Sequence, residues 1–398
     1  MAHISFSESI KILNENLPGS KGSEKVFLSD ALNRVLAKDI TAKYDNPYMP
    51  TASMDGYAIN YDDIDKEIKI LGKNPAGHFD IKEIKRGECV KTFTGSFMPE
   101  NSDTLVPIEN VEVKGDKLII KEKVDKGFSV RAVGEDFKKG EALIKKGTIL
   151  KAGEIGVLAS LGIPVVDVVK KPVVSILATG EEVVDLDEEF EMGQIRSSNN
   201  YTLSALANSF NFNAINLGIA GDKKEEIKSK ILDALKTSDV VVTTGGVSVG
   251  DFDFVKEITG EFEVLFHGVN IKPGQWIMIA KAGEKFIVSL PGFPYSSFVT
   301  FLLYVVPLLE SFENKKVIKK IKAKLKHNFT KKFKKYQFVA VNIEFNGEFY
   351  VDNEGKKQGS SGILTNLIGN KALMCLKEGL YELNEGSEVD VLVYDRII

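Results

Sequence analysis

The chain has 398 residues, of which 43% are hydrophobic and 27% are charged, and its formal net charge at pH 7 is −4. This balance is typical of a folded protein of about two to four domains and excludes a disordered chain. The slight acidic excess argues against nucleic acid as the main ligand, since nucleic-acid binders usually carry a basic surplus. Cys89 and Cys375 form no CxxC pair and the four histidines are scattered, which argues against disulfides or zinc and fits a reducing cytoplasm.

The N-terminal part of the chain combines predicted helices with a β-rich stretch. Apolar residues at helical spacing predict a helix over 6–17, and Ser29-Asp30 precede a second short helix over 31–36. The N-terminus has no apolar core flanked by basic residues, so we expect no signal peptide. From about residue 59 to 133, short β-type runs alternate with glycine and charged turns, which predicts a small all-β module. A further helix is predicted within 147–162, ending in glycine.

From residue 171 the chain alternates apolar strands with helices. The strands are PVVSILATG, NAINLGIA, DVVVTTGG and FIVSLPG, and the helices lie over 201–210 and 223–235. This alternation predicts a parallel, doubly wound α/β sheet that binds its ligands at the carboxyl ends of the strands. The uncharged stretch 286–309 is long enough to cross a bilayer. Its prolines and serines favour a buried strand, a turn and a buried helix, so we expect no membrane association.

The C-terminal part becomes β-rich again from about residue 313. Residues 320–326 alternate charged and apolar side chains, which predicts a half-buried strand. We interpret the basic run 315–335 as the solvated face of that strand rather than as a nucleic-acid patch.

The strongest local signal for chemistry is TTGGVSVGDFDF, which follows an apolar strand. Gly245 and Gly246 let the backbone approach a ligand closely, and successive N–H groups can form an anion nest. Ser248 adds a hydroxyl, and Asp251 a carboxylate that could hold a Mg²⁺ bridging to phosphate. A strand-to-helix turn capped by Asp251 or Asp253 explains the same residues equally well.

Other polar residues follow the neighbouring strands of the predicted sheet. ATGEEV offers Glu182, GIAGDKKEEI offers Asp222, and IKPG places Lys272 on a tight turn. Asp222 also fits a capping box with Glu225. Together these motifs place carboxylates, a lysine and glycine turns along one edge of one sheet. Outside the sheet, Asp55 in SMDGYA and Thr94 in TGSFMP fit either function or ordinary turn chemistry.

The order of these motifs resembles a known family. SMDGYA, TGS, GED, TGEEV, GQIRSSN, GGVSVGD, KPG, LPGFP and QGSSGILTNL follow one another as in MoeA-type molybdopterin molybdenumtransferases, which include the E domain of gephyrin. The resemblance implies domain I from 1–45 and 140–170, an inserted β module over 46–139, an α/β molybdopterin-binding domain over 171–312 and a C-terminal β-barrel over 313–398. It also implies an elongated homodimer whose cleft uses residues of both chains.

The resemblance implies a reaction and its residues. Adenylylated molybdopterin, supplied by an adenylyltransferase, would be hydrolysed with release of AMP while molybdate joins the dithiolene with the help of Mg²⁺. Asp222 and Asp251 resemble the metal ligands, Glu182 a second functional carboxylate, and Asp55 with Thr94 the contribution of the partner chain. Lys272, Ser296 and Ser361 resemble groups near the oxyanion. The implied cofactor-binding residues are Gly245, Gly246, Ser248, Gly250, Pro291, Gly292, Ser296 and Ser361.

The sequence departs from the family pattern at a few positions. Gln275 and Trp276 stand where a lysine and a proline are usual, and the LPGNP turn reads LPGFP. A missing cation predicts weaker molybdate binding, which Gln275→Lys would restore unless another lysine fills the role. Two other functions compete with this reading: a molybdopterin adenylyltransferase, which usually consists of the α/β domain alone, and a non-catalytic scaffold of the gephyrin type.

Overall fold

The computed structural model describes residues 3–247, 254–357 and 359–397. The chain forms two compact units, 1–37 with 166–398, and 38–165. The finer division into four domains stays a prediction. The described residues contain seven α-helices: α1 (Phe6–Glu15), α2 (Ala152–Ser160), α3 (Asn199–Ser209), α4 (Lys224–Thr237), α5 (Phe254–Thr259), α6 (Pro294–Thr300) and α7 (Val306–Glu313). A π-turn over Phe301–Val305 joins the last two, and 3₁₀ turns lie at Leu28–Asp30, Tyr61–Asp63, Ile108–Asn110 and Leu364–Leu367.

The unit 38–165 is built on a six-stranded sheet, which confirms the predicted all-β module. Its strands are, in spatial order, Thr104–Pro107, Gly56–Ile59, Glu88–Thr92, Ile68–Asn74, Lys117–Ile120 and Val111–Lys114. Two short pairs join Thr51–Ala52 to Val130–Arg131 and Ile40–Thr41 to Ala142–Ile144. The core side chains of the sheet include Ile59, Ile68, Cys89, Val106 and Leu118, all with no exposed surface.

The larger unit contains the α/β sheet. Its strands are β1 (Val173–Thr179), β2 (Asn213–Ala220), β3 (Val240–Thr244), β4 (Glu263–His267), β5 (Met278–Ala282) and β6 (Lys285–Leu290). They lie in the order β2-β1-β3-β6-β5-β4, and the first four are parallel. The four strands that the sequence predicts are parallel, and two strands that it does not predict, β5 and β4, run antiparallel at one edge. The reason is local: Gly283, with φ +67°, makes a two-residue turn that folds β5 onto β6 as a hairpin.

The uncharged stretch 286–309 consists of most of β6 and a buried helix that follows it. Pro294–Glu313 forms one helical stretch that is long and apolar enough to cross a membrane, but 89% of its most apolar window is buried within the protein. Tyr304 lies in this stretch with no exposed surface, and its hydroxyl is 2.8 Å from Ser9 Oγ on α1. The stretch is therefore the core helix that the sequence predicts.

The C-terminal part forms a closed barrel. Five strands surround it: Lys319–Leu325, Tyr336–Asn346, Glu348–Asp352, Ala372–Leu376 and Glu388–Val393. Tyr336–Asn346 pairs with both Glu348–Asp352 and Ala372–Leu376, which closes the ring, while Ile271–Lys272 adds a parallel edge to it. Phe329–Thr330 pairs separately with Glu382–Leu383. The barrel and the α/β sheet confirm the fold class predicted from the sequence.

Two local predictions are wrong. Residues 31–36 form no helix, because Asn33 adopts a left-handed conformation (φ +63°) and Leu36 bridges to Val168. Nearby, Ser23–Phe27 pairs with Val165–Val169. The basic run 315–335 is also not wholly solvated. Lys315 and Lys331 are buried, and Lys315 Nζ donates to Phe210 O at 3.0 Å.

Candidate functional site

A cleft opens at the carboxyl ends of β1, β3 and β6. Its volume is about 770 Å³, within the range of about 300–1,000 Å³ common for small-molecule sites. The structure brings five of the predicted residues into its lining: Glu182, Gly245, Gly246, Pro291 and Gly292. These residues lie 110 positions apart at most in sequence and meet because their strands end at one edge of the sheet.

Two glycine turns form the floor of the cleft. Gly245 has φ +99°, and a Cβ there would lie 2.8 Å from the carbonyl oxygen of Thr179. A Cβ on Gly292 would lie 3.7 Å from Gly245 Cα. A side chain at position 245 would therefore clash with the end of β1, whereas one at position 292 would meet only ordinary van der Waals contact. The Gly245 N–H donates to Leu290 O at 3.1 Å, so the fold uses this donor itself.

Several cleft residues escaped the sequence prediction. Asn199 begins α3, and its Nδ2 donates to Gly292 O at 2.8 Å, while Ser297 Oγ donates to its Oδ1 at 3.0 Å. Arg196, Phe293 and Trp276 also line the cleft. The GQIRSSN run, which contains Arg196 and Asn199, was the signal that could have identified them. Arg196 contributes a positive charge, and its guanidinium lies 5.4 Å from the Phe190 ring centroid.

The predicted site carboxylates differ in the contacts that they make within the protein. Glu182 lines the cleft and folds back over Gly180, where a Cβ would lie 2.6 Å from its Oε2. Asp222 follows β2 and is half-buried. The alternative capping role for Asp222 is not seen, because α4 has Lys223 as its N-cap and no side-chain capping bond.

Part of the predicted metal site cannot be placed. Ser248, Gly250 and Asp251 lie outside the described residues. Within 3–247, 254–357 and 359–397, no three His, Cys, Asp or Glu side chains cluster closely enough to hold a metal ion.

A second, smaller cavity of about 60 Å³ lies beside the barrel, and we call it the lysine pocket. Lys272 and Ser361 line it, as predicted for groups near an oxyanion, together with Lys332, Lys356 and Lys357. None of its described lining residues is an aspartate or glutamate. Ser296 is buried in α6 and lines neither cavity.

The positive charge of the lysine pocket comes mainly from residues that the sequence did not single out. Lys272 Nζ lies 5.0 Å from the Phe333 ring centroid. Burial lowers the pKa of Lys356, whose Nζ donates to Asn366 O at 3.2 Å. Gln275 is not among the residues that line the pocket, and its Oε1 accepts a hydrogen bond from Lys335. The arrangement therefore favours the alternative in which other lysines compensate for the missing one.

One loop borders both cavities. Gly359, Ser360 and Ser361 line the lysine pocket, whereas Gly362 lines the cleft. The loop is attached to the start of α6, where Tyr295 N donates to Ser361 O at 3.1 Å.

Asp55 and Thr94 meet in the unit 38–165. The Thr94 N–H donates to Asp55 Oδ1 at 2.9 Å and its hydroxyl to the same oxygen at 2.8 Å. These bonds, the backbone one first, lower the pKa of Asp55, whose side chain is half-buried. Asp55 is thus held as a carboxylate.

We expect Thr94→Val to raise the pKa of Asp55 towards its ordinary value, because the variant keeps the backbone donor and loses the hydroxyl. The folded-state pKa is depressed, so whatever stability this pair contributes is lost as pH falls through that pKa. An NMR titration of the Asp55 carboxyl group measures the shift, with Thr94→Ser as the control that keeps the hydroxyl. Identical titration curves for wild type and Thr94→Val would contradict the expectation.

Comparison with known proteins covers nearly the whole chain. Residues 4–162 match the family described as MoeA N-terminal region (domain I and II), 175–311 the "Probable molybdopterin binding domain", and 322–394 the MoeA C-terminal region (domain IV). A molybdopterin molybdenumtransferase of Staphylococcus aureus (strain Mu50) is 32% identical over 95% of this chain and 93% of its own. Another from Haemophilus influenzae is 33% identical over 77% of each.

Solved structures agree with these matches. Two crystal structures of the molybdopterin biosynthesis MoeA protein from Pyrococcus horikoshii superpose with TM-scores of 0.86 and 0.81, at 30% and 31% identity. Each covers 99% of this chain and 100% of the other. With its cleft, its barrel and its full-length relatives, the chain belongs to the MoeA family of molybdopterin molybdenumtransferases.

Proposed function

We propose that this protein is a molybdopterin molybdenumtransferase that joins molybdate to adenylylated molybdopterin with Mg²⁺ and releases AMP. The observation that carries the proposal is the pairing of two cavities in one unit. The cleft has the volume of a cofactor site, and the lysine pocket is small, cationic and free of carboxylates among its described lining residues. A large anionic cofactor and a small inorganic anion are the two substrates of such an enzyme.

The residues of the cleft fit the binding of the larger substrate. Arg196 supplies a positive charge for a phosphate group, and the glycine turns at Gly245 and Gly292 leave room for close approach of the ligand. Lys272 and its neighbours hold the oxyanion in the lysine pocket. Glu182, which lines the cleft, would orient a water molecule for release of AMP.

A divalent metal fits the donors that are present. Asp222 has no capping role, and its carboxylate, at a strand end, has no hydrogen bond or ion pair with another described residue. Mg²⁺ commonly binds through one or two carboxylates together with substrate phosphates. Asp222 and Asp251 would hold it. When bound, the ion would neutralise charge on the phosphates.

The remaining features of the proposal concern the assembly. We propose a cytoplasmic homodimer in which Asp55 and Thr94 serve the cleft of the partner chain, with an adenylyltransferase supplying the substrate. The long apolar helix gives no support for a dimer, because its own chain buries it. Support comes instead from Asp55, whose carboxylate is kept charged by two hydrogen bonds from Thr94 and, to a smaller extent, by the nearby charge of Lys91.

The test is an assay of AMP release from adenylylated molybdopterin by the purified protein. We expect release only when Mg²⁺ and molybdate are both present. Release of pyrophosphate from ATP and molybdopterin would indicate the adenylyltransferase instead. Binding of substrate without turnover under any metal condition would indicate a scaffold.

A further inference from the structure

We propose that the ring of Phe293 stacks on a planar heterocycle of the substrate, and that Phe293 is the residue of the cleft that selects ligands carrying such a ring. The inference rests on the proposed function, because adenylylated molybdopterin has two planar heterocycles, a pterin and an adenine. It adds a residue that binds a ring to a cleft in which Arg196 supplies positive charge for a phosphate.

Phe293 is an aromatic residue that the fold leaves largely open to solvent. It lines the cleft, and 64% of its surface is exposed. Among the described residues its ring contacts no other aromatic ring, whereas Trp276, which also lines the cleft, packs edge-on against His3 with the ring centroids 4.6 Å apart. Single exposed apolar side chains are common on protein surfaces. The argument therefore depends on where this ring lies and how it is held.

The backbone that carries the ring is fixed on both sides. Before it, Gly292 O accepts a hydrogen bond from Asn199 Nδ2 at 2.8 Å. Phe293 O itself accepts from Ser297 N at 2.9 Å, and Pro294 follows it as the first residue of α6. A proline restricts the residue before it to extended backbone. The ring is therefore presented to the cleft by a rigid turn, and a preorganised group loses little entropy when a ligand binds to it.

The loop 359–362 covers only one side of the ring. A Cβ on Gly362 would lie 3.4 Å from Phe293 Cδ1 and 3.7 Å from its Cε1. The loop therefore passes beside this one bond of the ring, and the exposed remainder is open to a ligand in the cleft.

Phe293 also occupies a position where another residue type would stabilise the helix. It is the N-cap of α6 and makes no side-chain capping bond. Asparagine, which is usual here in the family pattern LPGNP, is among the best N-cap residues, because its side chain accepts from a free backbone N–H. Trp276, the other aromatic departure from the pattern, lines the same cleft. The chain therefore has aromatic rings in the cleft at two positions where the family usually has none.

Stacking distinguishes a flat ring from an apolar side chain of similar size. Contacts between an aromatic side chain and a heterocyclic base depend on two flat faces and tolerate different bases. Leucine at position 293 would keep the apolar bulk and lose the flat face. Phe293→Leu is therefore the variant that separates stacking from simple apolar contact.

The experiment is a calorimetric titration of the full-length protein with three probes: AMP, ribose phosphate, which lacks the adenine ring, and hydroxymethylpterin. Fluorescence of Trp276, the single tryptophan of the chain, reports whether a probe enters the cleft. We expect Phe293→Leu to bind AMP or the pterin about tenfold more weakly than wild type and ribose phosphate equally well. The probe that is affected identifies the ring that stacks. Unchanged affinity for both ring-bearing probes would overturn the inference.

Three further variants show whether the effect belongs to the ring. Phe293→Tyr keeps a flat ring and should bind all probes as wild type does. Phe27→Leu is the matched control, because Phe27 is 66% exposed and lines neither cavity; its affinities should not change. Phe293→Asn should lose ring binding but raise the unfolding temperature by about 2–4 °C through the new cap. A lower unfolding temperature together with a parallel loss of ribose phosphate binding would show that the ring supports the fold, and would overturn the inference.

AMP release tests the proposed function separately. Phe293→Leu should raise the substrate concentration for half-maximal release by about tenfold and leave the maximal rate unchanged, as expected when binding is lost equally in the ground state and the transition state. AMP release by wild type with the same half-maximal concentration in Phe293→Leu would overturn the stacking role and leave the transferase function standing. Ring binding that depends on Phe293 in a wild type without AMP release would support the stacking role and contradict the transferase function.

Discussion

Lys272→Met is expected to raise the molybdate concentration for half-maximal AMP release by about 100-fold. The side chain lines the lysine pocket, and a unit charge about 4 Å from an anion contributes roughly 1–4 kcal/mol, depending on solvent access. Each 1.4 kcal/mol corresponds to about a factor of ten in affinity. Methionine keeps an unbranched chain over the Phe333 ring, so the fold should survive.

The matched control for Lys272 is Lys334→Met. Lys334 is exposed and does not line the lysine pocket, so its loss removes the same formal charge next to Phe333, the residue whose ring Lys272 Nζ approaches. We expect a wild-type molybdate titration for this variant. If both variants shift the titration equally, the effect comes from net charge and Lys272 has no direct contact with the anion.

Asp222→Asn is expected to raise the Mg²⁺ concentration for half-maximal AMP release by about tenfold or more. A hard cation loses a charged oxygen ligand, and the neutral amide oxygen replaces it poorly. The unfolding temperature should not change, because Asp222 makes no capping bond to α4. We expect Asp251→Asn to abolish Mg²⁺-dependent release, on the grounds of its place in the GGVSVGD motif.

Asp233→Asn serves as the control for Asp222. Asp233 lies on α4, is exposed and pairs with Lys236 at 2.6 Å. This variant removes the same charge at a distance from the strand ends and should leave the Mg²⁺ titration unchanged. A wild-type Mg²⁺ curve for Asp222→Asn would remove Asp222 from the metal site.

The arrangement around Gln275 changes one expectation drawn from the sequence. A missing lysine predicted weaker oxyanion binding and a gain from Gln275→Lys. In the structure, Gln275 accepts a hydrogen bond from Lys335, and the proximity of Lys272 and burial both lower the pKa of Lys335, burial more strongly. A lysine at position 275 would face Lys335, so the alternative with compensating lysines is the better explanation.

Much of the fold could be predicted because burial has a clear signature in the sequence. The valine-rich runs of β1 and β3 are buried on both faces, as central parallel strands require. The failures are local. The helix predicted over 31–36 does not form because Asn33 adopts φ +63°. The chain also reverses at Gly283, between β5 and β6. Single residues that reverse the chain carry little periodic signal.

The site was predictable only where its residues belong to contiguous motifs. Glu182, Gly245 and Gly292 stand next to strand ends, so the topology of an α/β sheet brings them together. Lys332, Lys356 and Lys357 reach Lys272 through the closure of the barrel, which pairs strands distant in sequence. No spacing rule along the chain connects these lysines, and a charge run is usually solvated. Only the three-dimensional structure shows that these lysines line the same pocket as Lys272.

The loop 359–362 separates the two cavities, because part of it lines the lysine pocket and part of it lines the cleft. The loop is attached to α6 through the hydrogen bond from Tyr295 N to Ser361 O, and a shift towards one cavity would withdraw it from the other. A ligand that moves this loop from either side would therefore link the occupancies of the two cavities. Linkage is reciprocal, so whatever factor molybdate imposes on the affinity for molybdopterin, molybdopterin must impose on the affinity for molybdate.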